Sequence, residues 1–317
     1  MAFVWLRENP VPQGGRLLTV ATGEGARLRV ALWGEGEEAR GTVLLLNGRT
    51  EYIEKYFETV SELRLRRFAV ATLDWRGQGK SGRALKNPLK GHIRDFGTYV
   101  GDLRHVMDEA VRPALKGPYV ILAHSMGGAI GLTFLHDHPE AGIAAAIFSS
   151  PMFGLRTGDM PMQRARRLAR LAARWGLADA FAQGSGRIHP IVEPFEKNVV
   201  THDRDRFQRS KALIRAEPEL ALGGPTFGWV DAAFRATERF EDPAWLAAVK
   251  TPVLIVSAGN EELVDNAAQA RVAEGLPDAE LVTVEGAKHE ILQESRALRA
   301  RFWEIFDAFT ADVVPAG

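Results

Sequence analysis

Six short apolar runs rich in β-branched residues constrain the fold of this chain more than any other feature. They occupy residues 43–46, 68–73, 119–122, 143–148, 253–256 and 281–284. Continuous apolar runs separated by segments of helical periodicity are typical of parallel strands covered by helices on both faces. The sequence therefore predicts an α/β fold with a mostly parallel, doubly wound sheet. Ahead of these runs, residues 17–21 and 28–33 flank a Gly-rich turn and predict an antiparallel hairpin that begins the sheet.

The alternation of strands and helices stops between residues 151 and 245, where helical patterns follow one another. We predict an α/β-hydrolase-type core formed by residues 1–150 and 246–317, with residues 151–245 inserted as a helical cap. The first cap helix, about residues 161–175, carries arginines on one side, namely Arg164, Arg166, Arg167, Arg170 and Arg174. On an adjoining stripe, Leu168, Leu171 and Trp175 are expected to pack. The arginines form either a solvated face or a membrane-surface contact.

Composition excludes several classes of function. Forty basic and forty acidic residues cancel, so nothing in the charge balance indicates a nucleic-acid partner. The chain has no cysteine, which excludes disulfides, thiolate nucleophiles and cysteine-ligated metals. The amino-terminal residues lack the basic start and long apolar core of a signal peptide, and no run approaches the roughly 20 apolar residues of a membrane span. We therefore expect a cytoplasmic protein with, at most, peripheral contact at the inner face of the membrane.

One strand is followed directly by a serine among small residues. Residues 120–129 read Val-Ile-Leu-Ala-His-Ser-Met-Gly-Gly-Ala, which matches the nucleophile elbow G-x-S-x-G with Ala123 in the first small position. Small residues are needed because the serine lies on a strained turn where backbone segments approach closely. Ser125 is therefore the predicted nucleophile. The structural alternative is a serine that caps the following helix.

A serine hydroxyl needs a base to take its proton, so the motif predicts a histidine downstream with an acid between them. His289 lies on a loop just past the strand at residues 281–284, where such sheets gather their sites. The other seven histidines lack that placement. We predict His289 as the general base.

The acid is expected in the loop after the strand at residues 253–256. Glu261 is our choice because it follows the turn glycine closely, whereas Asp265 has the position of an N-cap for the next helix. Asp265 stays the main alternative and Glu262 the weaker one.

The oxyanion of the tetrahedral intermediate needs two backbone N–H donors. The predicted donors are Met126, which follows the nucleophile, and Arg49, in the loop after the strand at residues 43–46. The Arg49 side chain is then free either to meet an anionic group or to pair with a nearby carboxylate such as Glu51.

Residues 77–82, Gly-Gln-Gly-Lys-Ser-Gly, imitate phosphate-binding motifs. A P-loop would need a glycine where Asp74 stands, and a dinucleotide site would need this segment to open a crossover helix. Pro88 and Gly91 follow too soon for such a helix. A turn beside the active site is the better interpretation.

Several motifs together resemble one family. They lie at residues 47–51 with Tyr56, 74–79, 91–92, the serine elbow, 264–266 and 289–292, with 198–203 and 223–226 in the cap. They are similar to bacterial lysophospholipases of the α/β-hydrolase superfamily, relatives of the monoacylglycerol lipases. The resemblance implies the triad Ser125, Glu261 and His289, and a cap that shapes an acyl pocket. Two departures are Asn47, where many members have histidine, and Ala123 in the elbow.

The predicted function is hydrolysis of a carboxylic ester through an acyl-enzyme, without cofactor or metal, on a lysophospholipid or monoacylglycerol-type substrate. Met152, Met160 and Trp229 are candidates for the apolar lining. Two rivals remain. A proline iminopeptidase-like peptidase would need cap carboxylates such as Asp203, Glu217 or Glu219, and a non-catalytic member of the fold would bind a ligand only. The sequence assigns no role to Asn198, Thr201 or Asp203.

Overall fold

The computed structural model describes residues 2–23, 25–182 and 190–314. Within them, eight strands form one sheet. The strands β1 to β8 are Arg16–Ala21, Arg27–Trp33, Gly41–Leu46, Phe68–Leu73, Tyr119–His124, Ile143–Ser149, Val253–Ala258 and Ala279–Val284. Their order in the sheet is β1-β2-β4-β3-β5-β6-β7-β8. The β1–β2 and β2–β4 pairs are antiparallel and all other neighbours are parallel, so the predicted hairpin and doubly wound sheet are confirmed.

Helices cover both faces of this sheet. The helices α1 to α10 are Phe57–Leu65, Gly97–Val106, Arg112–Ala114, Met126–Asp137, Met162–Ala172, Arg204–Ala216, Phe227–Glu238, Pro243–Leu246, Asn266–Gly275 and Arg296–Val313. Along β3, Leu44 and Leu46 pack into a cluster with α2 and α4, while Val43 and Leu45 pack into the opposite cluster with α1 and α10. Every β3 residue is therefore buried. Each such side chain contributes about 1.5–3 kcal/mol to folding, which explains the continuous apolar runs.

The segment between β6 and β7 contains α5 to α8, and its described residues form isolated β-bridges but no strand of the sheet. Helix α7 packs Trp229, Ala232 and Ala236 into the same apolar cluster as α2 and α4. The insertion therefore shares its core with the sheet. Residue 245 lies inside α8, and the division into a core and a cap at residues 151 and 245 stays a prediction.

Helix α5 lies within the predicted cap helix, but its leucine–tryptophan stripe does not pack as expected. Leu168 is 45% exposed and Trp175, just beyond the helix, is 78% exposed, whereas Leu171 is half-buried. The inward side instead carries buried Ala169, together with Arg166 and Arg170, which pair with acidic groups near α7. The expectation was wrong because the surface facing α5 offers the carboxylates of Asp231, Glu238 and Glu241 to the two arginines.

In the described ranges, no helix combines the length and apolar character that a membrane crossing requires.

Candidate active site

Ser125 connects β5 to α4 in a strained backbone conformation, with φ 51° and ψ −116°. The tight turn explains its neighbours. A Cβ on Gly127 would lie 2.3 Å from the Leu46 carbonyl oxygen, and one on Gly128 would lie 2.6 Å from Pro151. Ala123 is fully buried without such a conflict. Among the described residues, no hydrogen bond joins the Ser125 side chain to the α4 backbone, so the capping alternative has no support.

The His289 imidazole joins the serine to a carboxylate. Its Nε2 lies 2.9 Å from Ser125 Oγ, and its Nδ1 lies 2.7 Å from Glu261 Oε2. The other carboxylate oxygen, Oε1, accepts the backbone N–H groups of Leu263 at 2.7 Å and Val264 at 3.2 Å. Burial opposes ionisation of Glu261, but the bond to His289 and these amides lower its pKa below the usual value. The carboxylate is therefore ionised at neutral pH and able to orient the imidazole.

The two alternative acids are placed elsewhere. Asp265 is the N-cap of α9 and accepts the Ala267 N–H at 2.9 Å. Glu262 is exposed to solvent. Glu261 is the loop carboxylate that meets His289. The catalytic roles of Ser125, His289 and Glu261 stay predictions, now with a geometry that suits them.

His124, the variable residue of the elbow, packs against the base. The His124 and His289 ring centroids are 4.8 Å apart, and His124 Nδ1 lies 3.1 Å from the Ser149 carbonyl oxygen. Burial lowers the pKa of His124 to about 4, so the ring is neutral at pH 7. An uncharged ring therefore packs against the His289 imidazole.

Of the two predicted oxyanion donors, one begins the helix after the serine and the other lies on the loop after β3. Met126 is the first residue of α4, where backbone N–H groups have no partner within the helix. The Gly48 N–H donates to Glu51 Oε2 at 2.5 Å. In the described part of the chain, no hydrogen bond engages the Arg49 N–H, so it is available as the second donor. The donor roles of Arg49 and Met126 stay predictions.

The glycine-rich turn at residues 77–82 supports this loop. Gln78 Oε1 accepts the Thr50 N–H at 2.6 Å, and its Nε2 lies 3.4 Å from the Gly48 carbonyl oxygen. A Cβ on Gly79 would lie 2.2 Å from Asp74, whose Oδ2 accepts the Lys80 N–H at 2.7 Å. The glycines thus make room for a carboxylate of the chain itself, and the turn lies beside the active site as the sequence suggests.

The sequence analysis did not predict a buried network of charged side chains behind the loop of residues 47–51. Lys55 Nζ lies 2.8 Å from Glu51 and 2.6 Å from Glu290, and the Tyr56 hydroxyl donates to Glu51 at 2.6 Å. Although burial opposes ionisation, the positive charge of Lys55 and, once it is protonated at low pH, that of His124 bring the pKa of Glu51 to about 2. The spacing of Glu51 and Lys55, four residues apart, was the available signal.

Residues 198–203, part of the family resemblance, contact the loop that carries His289. The Glu290 N–H donates to the Val200 carbonyl at 2.8 Å, and Lys288 Nζ donates to the Asn198 carbonyl at 3.0 Å. The Thr201 hydroxyl donates to the Gln293 carbonyl at 2.8 Å.

Within this segment, the Asn198 side chain bridges neighbouring backbone groups, and Asp203 caps α6 and pairs with Arg206 at 2.5 Å. We call residues 198–203 the clamp segment. The backbone carbonyls of Asn198 and Val200, together with the Thr201 hydroxyl, hold the histidine loop against the insertion.

The predicted apolar lining residues differ in their surroundings. Met152 and Trp229 are 3% and 5% exposed, and the Met152 N–H donates to the Ser125 carbonyl at 2.9 Å. Met160 is 39% exposed, and within the described residues its backbone bonds to the nearby Thr157. Substrate contacts by Met152 and Trp229 stay predictions.

A serine at a strained strand–helix turn, bonded through histidine to a carboxylate on a sheet of this order, defines an α/β-hydrolase of the serine type. Sequence comparison gives the same class. The profile of the family described as "Serine aminopeptidase, S33" matches residues 37–296. The chain belongs to this family.

Among its relatives, the chain is 38% identical to lysophospholipase L2 of Escherichia coli strain K12 over 284 residues, 87% of this chain and 82% of that protein. It is 24% identical to a monoacylglycerol lipase of Mycolicibacterium smegmatis over 85% of this chain and 88% of that protein. A soluble variant of monoglyceride lipase from Saccharomyces cerevisiae, solved with a substrate analogue, has the same fold, with a TM-score of 0.72 at 20% identity over 95% of this chain and 97% of that chain. The predicted family resemblance and serine-hydrolase class are confirmed.

Proposed function

We propose that the protein hydrolyses the carboxylic ester of monoacyl lipids, lysophospholipids or monoacylglycerols, through an acyl-enzyme. The observation that carries this proposal is the continuous hydrogen-bonded chain from Ser125 Oγ through His289 to Glu261, at 2.9 and 2.7 Å. The printed names of the lysophospholipase and monoacylglycerol lipase relatives support the substrate class.

The proposed reaction uses protein groups and water. Ser125 Oγ attacks the ester carbonyl while His289 Nε2 takes its proton, and Glu261 stabilises the imidazolium. The amides of Arg49 and Met126 hold the oxyanion. The acyl C–O bond then breaks, and His289 delivers its proton to the leaving alcohol. Water repeats the sequence on the acyl-enzyme, releasing the fatty acid and the free serine.

A peptidase that grips a substrate's free amine finds little support in the insertion. Asp203 pairs with Arg206, and Glu217 pairs with Lys80. The Glu219 side chain is 74% exposed, and its Oε2 lies 4.0 Å from Lys80 Nζ. A purely binding protein has no chemical need for the hydrogen-bonded triad.

The test is hydrolysis of four acyl-matched or chromogenic substrates: a p-nitrophenyl ester, a monoacylglycerol, a lysophospholipid and an aminoacyl anilide. We expect turnover of the three esters and little of the anilide. Ser125→Ala should lower kcat by on the order of 10⁶ with an unchanged circular dichroism spectrum. Preferred cleavage of the anilide would favour the peptidase, and no turnover at all would favour the binding protein.

We further propose that residues 151–245 act as a cap on the core of residues 1–150 and 246–317, and that the protein is cytoplasmic and contacts the inner face of the membrane through α5. Support comes from the exposed side of α5 and the turn after it. Trp175 and Leu168 are exposed there, alongside Arg164, Arg167 and Arg174, for which the described residues supply no ion pair. Exposed tryptophan and unpaired arginines together suit an anionic lipid surface.

A further inference from the structure

Two loops of the candidate site come from strands that are far apart in the sheet. Residues 47–51, which include Arg49, follow β3, and residues 285–290, which include His289, follow β8. Because β5, β6 and β7 lie between them, β3 and β8 are roughly 19 Å apart at about 4.8 Å per strand. Contacts made beyond the strand ends therefore help to determine where the base lies relative to the predicted oxyanion donor.

Lys55, in the single turn of residues 53–56 that precedes α1, makes such a contact. Its Nζ lies 2.8 Å from Glu51 Oε1 and donates to Glu290 Oε1 at 2.6 Å. Its backbone carbonyl accepts a hydrogen bond from the Gln293 side chain at 3.2 Å. Glu51 belongs to the loop after β3, and Glu290 directly follows the base. One ammonium group therefore joins the two loops.

Glu51 connects Lys55 to the backbone beside the predicted donor. Its Oε2 accepts the Gly48 N–H at 2.5 Å, which leaves Oε1 for Lys55. The pairing of Arg49 with Glu51 that the sequence leaves open is not observed, and the Arg49 side chain instead donates to the Gly223 carbonyl at 2.6 Å. Since Gly48 directly precedes Arg49, the carboxylate that Lys55 holds acts on the peptide next to the donor.

Glu290 connects Lys55 to the base. The Glu290 N–H donates to the Val200 carbonyl at 2.8 Å, and its carboxylate receives the Lys55 hydrogen bond, so backbone and side chain are both held. The preceding residue, His289, has its Nε2 2.9 Å from Ser125 Oγ, a distance suited to proton transfer. The Lys55 ion pair therefore opposes movement of the imidazole away from the serine.

The three charged side chains of this contact are shielded from water, with exposed fractions between 2% and 14%. Burial opposes the charge of Lys55, but Glu290 and Glu51 raise its pKa, so the ammonium group is charged at neutral pH. Apolar side chains of similar size would stabilise such a position as well as buried ions do. What the charges add is a directional contact between two loops.

We propose that Lys55 is a positioning residue for the hydrolysis, which fixes the loop of the base relative to the loop of the oxyanion donor. It acts through Glu51 and Glu290, without contact to the reacting atoms. This inference rests on the proposed ester hydrolysis.

The test measures kcat and KM on p-nitrophenyl butyrate, a soluble ester. Lys55→Met keeps an unbranched side chain and removes the charge. It should lower kcat by about tenfold to hundredfold, the cost of misplacing a group of the site by roughly 1 Å, and should change KM by less than about threefold. Lys55→Arg keeps the charge and should regain part of the loss. Wild-type kcat in folded Lys55→Met would overturn the proposal.

The matched control is another cation that bridges two carboxylates. Arg104 pairs with Asp108 at 2.7 Å and with Glu140, which lies just past the C-terminal end of α4, whereas Ser125 precedes its N-terminal end. Arg104→Met should therefore leave kcat unchanged.

A double variant separates misplacement from loss of stability. Lys55→Met leaves two carboxylates without their cation and should lower the thermal midpoint. Lys55→Met/Glu290→Gln removes one of these charges and should recover much of the midpoint, which also keeps the test valid if Lys55→Met does not fold. Its kcat should stay low, because the base is still not joined to Glu51. Return of kcat together with the midpoint would overturn the positioning role.

A second readout needs no substrate. The 2.7 Å hydrogen bond between His289 Nδ1 and Glu261 is short and charge-assisted, so its proton should give a far-downfield NMR resonance. We expect this resonance to shift or broaden in both Lys55→Met variants and to stay in place in Arg104→Met. If the wild type hydrolyses none of the esters, the proposed function fails and the resonance decides alone. A shift in both variants then supports the positioning role, and an unchanged resonance overturns it.

Discussion

Glu51 accepts a hydrogen bond from the Gly48 amide at 2.5 Å and thereby fixes the loop that carries Arg49, the predicted second oxyanion donor. Gly48 is confined from the other side as well, because a Cβ there would lie 3.0 Å from the His124 ring and 3.3 Å from the Ser125 Cβ. The loop therefore has little freedom to shift. Its geometry depends on a carboxylate that need not touch the substrate.

Glu51→Gln should lower kcat by about tenfold to hundredfold with a smaller change in KM, because losing one oxyanion donor costs 10²–10³ and a displaced donor costs less. The amide side chain keeps the size of Glu51 and loses the charge that binds Lys55. Steady-state kinetics on a soluble short-chain ester measure the split. Glu35→Gln, which removes a carboxylate 46% exposed in a surface pair, is the control. Wild-type kcat in Glu51→Gln would show that the carboxylate does not position the loop.

Glu261→Gln and Asp265→Asn should differ in their effect on catalysis. Glu261→Gln should fold and lose on the order of 10⁴ in kcat, because the imidazole loses its counter-charge and its held tautomer. Asp265→Asn should keep most activity, since asparagine caps a helix nearly as well as aspartate. Kinetics with thermal unfolding as the folding control separate the two. A folded, inactive Asp265→Asn beside an active Glu261→Gln would reverse the assignment of the acid.

The neutral His124 should make stability depend on pH. Its pKa is about 4 in the folded protein and roughly 6.5 when unfolded, so between these values the unfolded chain binds a proton that the folded one does not. The contribution of His124 to the free energy of unfolding is complete above pH 6.5 and falls by about 3 kcal/mol towards pH 4. His124→Asn cannot titrate and can still donate to the Ser149 carbonyl. Its urea midpoint should change less than the wild type's between pH 7 and pH 4, and parallel curves would contradict the assignment.

Removal of the unpaired charges from the exposed side of α5 and the turn after it should weaken binding to anionic vesicles. A triple change of Arg164, Arg167 and Arg174 to glutamine should cost about 1 kcal/mol per arginine, and Trp175→Ala should weaken binding further. Co-sedimentation with phosphatidylglycerol vesicles measures this, and turnover of a soluble ester should not change.

The matched control replaces three exposed arginines outside α5, namely Arg7, Arg27 and Arg94. Equal losses in the two triple variants would indicate a general charge effect, and no loss in either would leave α5 as an ordinary solvated helix.

The apolar runs predicted the sheet well because a strand buried on both faces favours apolar side chains at successive positions, as residues 43–46 of β3 show. The placement of Ser125 and His289 side by side was predictable for a related reason. The strained turn accepts only small neighbours, and the chain order of a nucleophile and its base follows from the topology. Glu261 could be chosen over Asp265 because helix capping has its own local pattern.

Contacts between segments distant in the chain were not predictable in the same way. The pairing of Lys55 with Glu290 joins residues that only the folded sheet brings together. The prediction of how α5 packs failed because the inward side of this helix binds the acidic groups near α7 through Arg166 and Arg170. Such ion pairs produce no apolar periodicity in the sequence.

The clamp segment has a consequence for transplanting insertions between enzymes of this fold. The Val200 carbonyl and the Thr201 hydroxyl bond to the backbone around His289, so the alignment of the base is partly built by the inserted chain. A chimera that received a foreign insertion without residues 198–203 would keep Ser125 and Glu261, but the loop that carries His289 would lose the bonds that hold it in place. A graft meant to exchange substrate preference therefore has to keep these six residues together with the loop around His289 that they contact, or it has to rebuild the bonds between them.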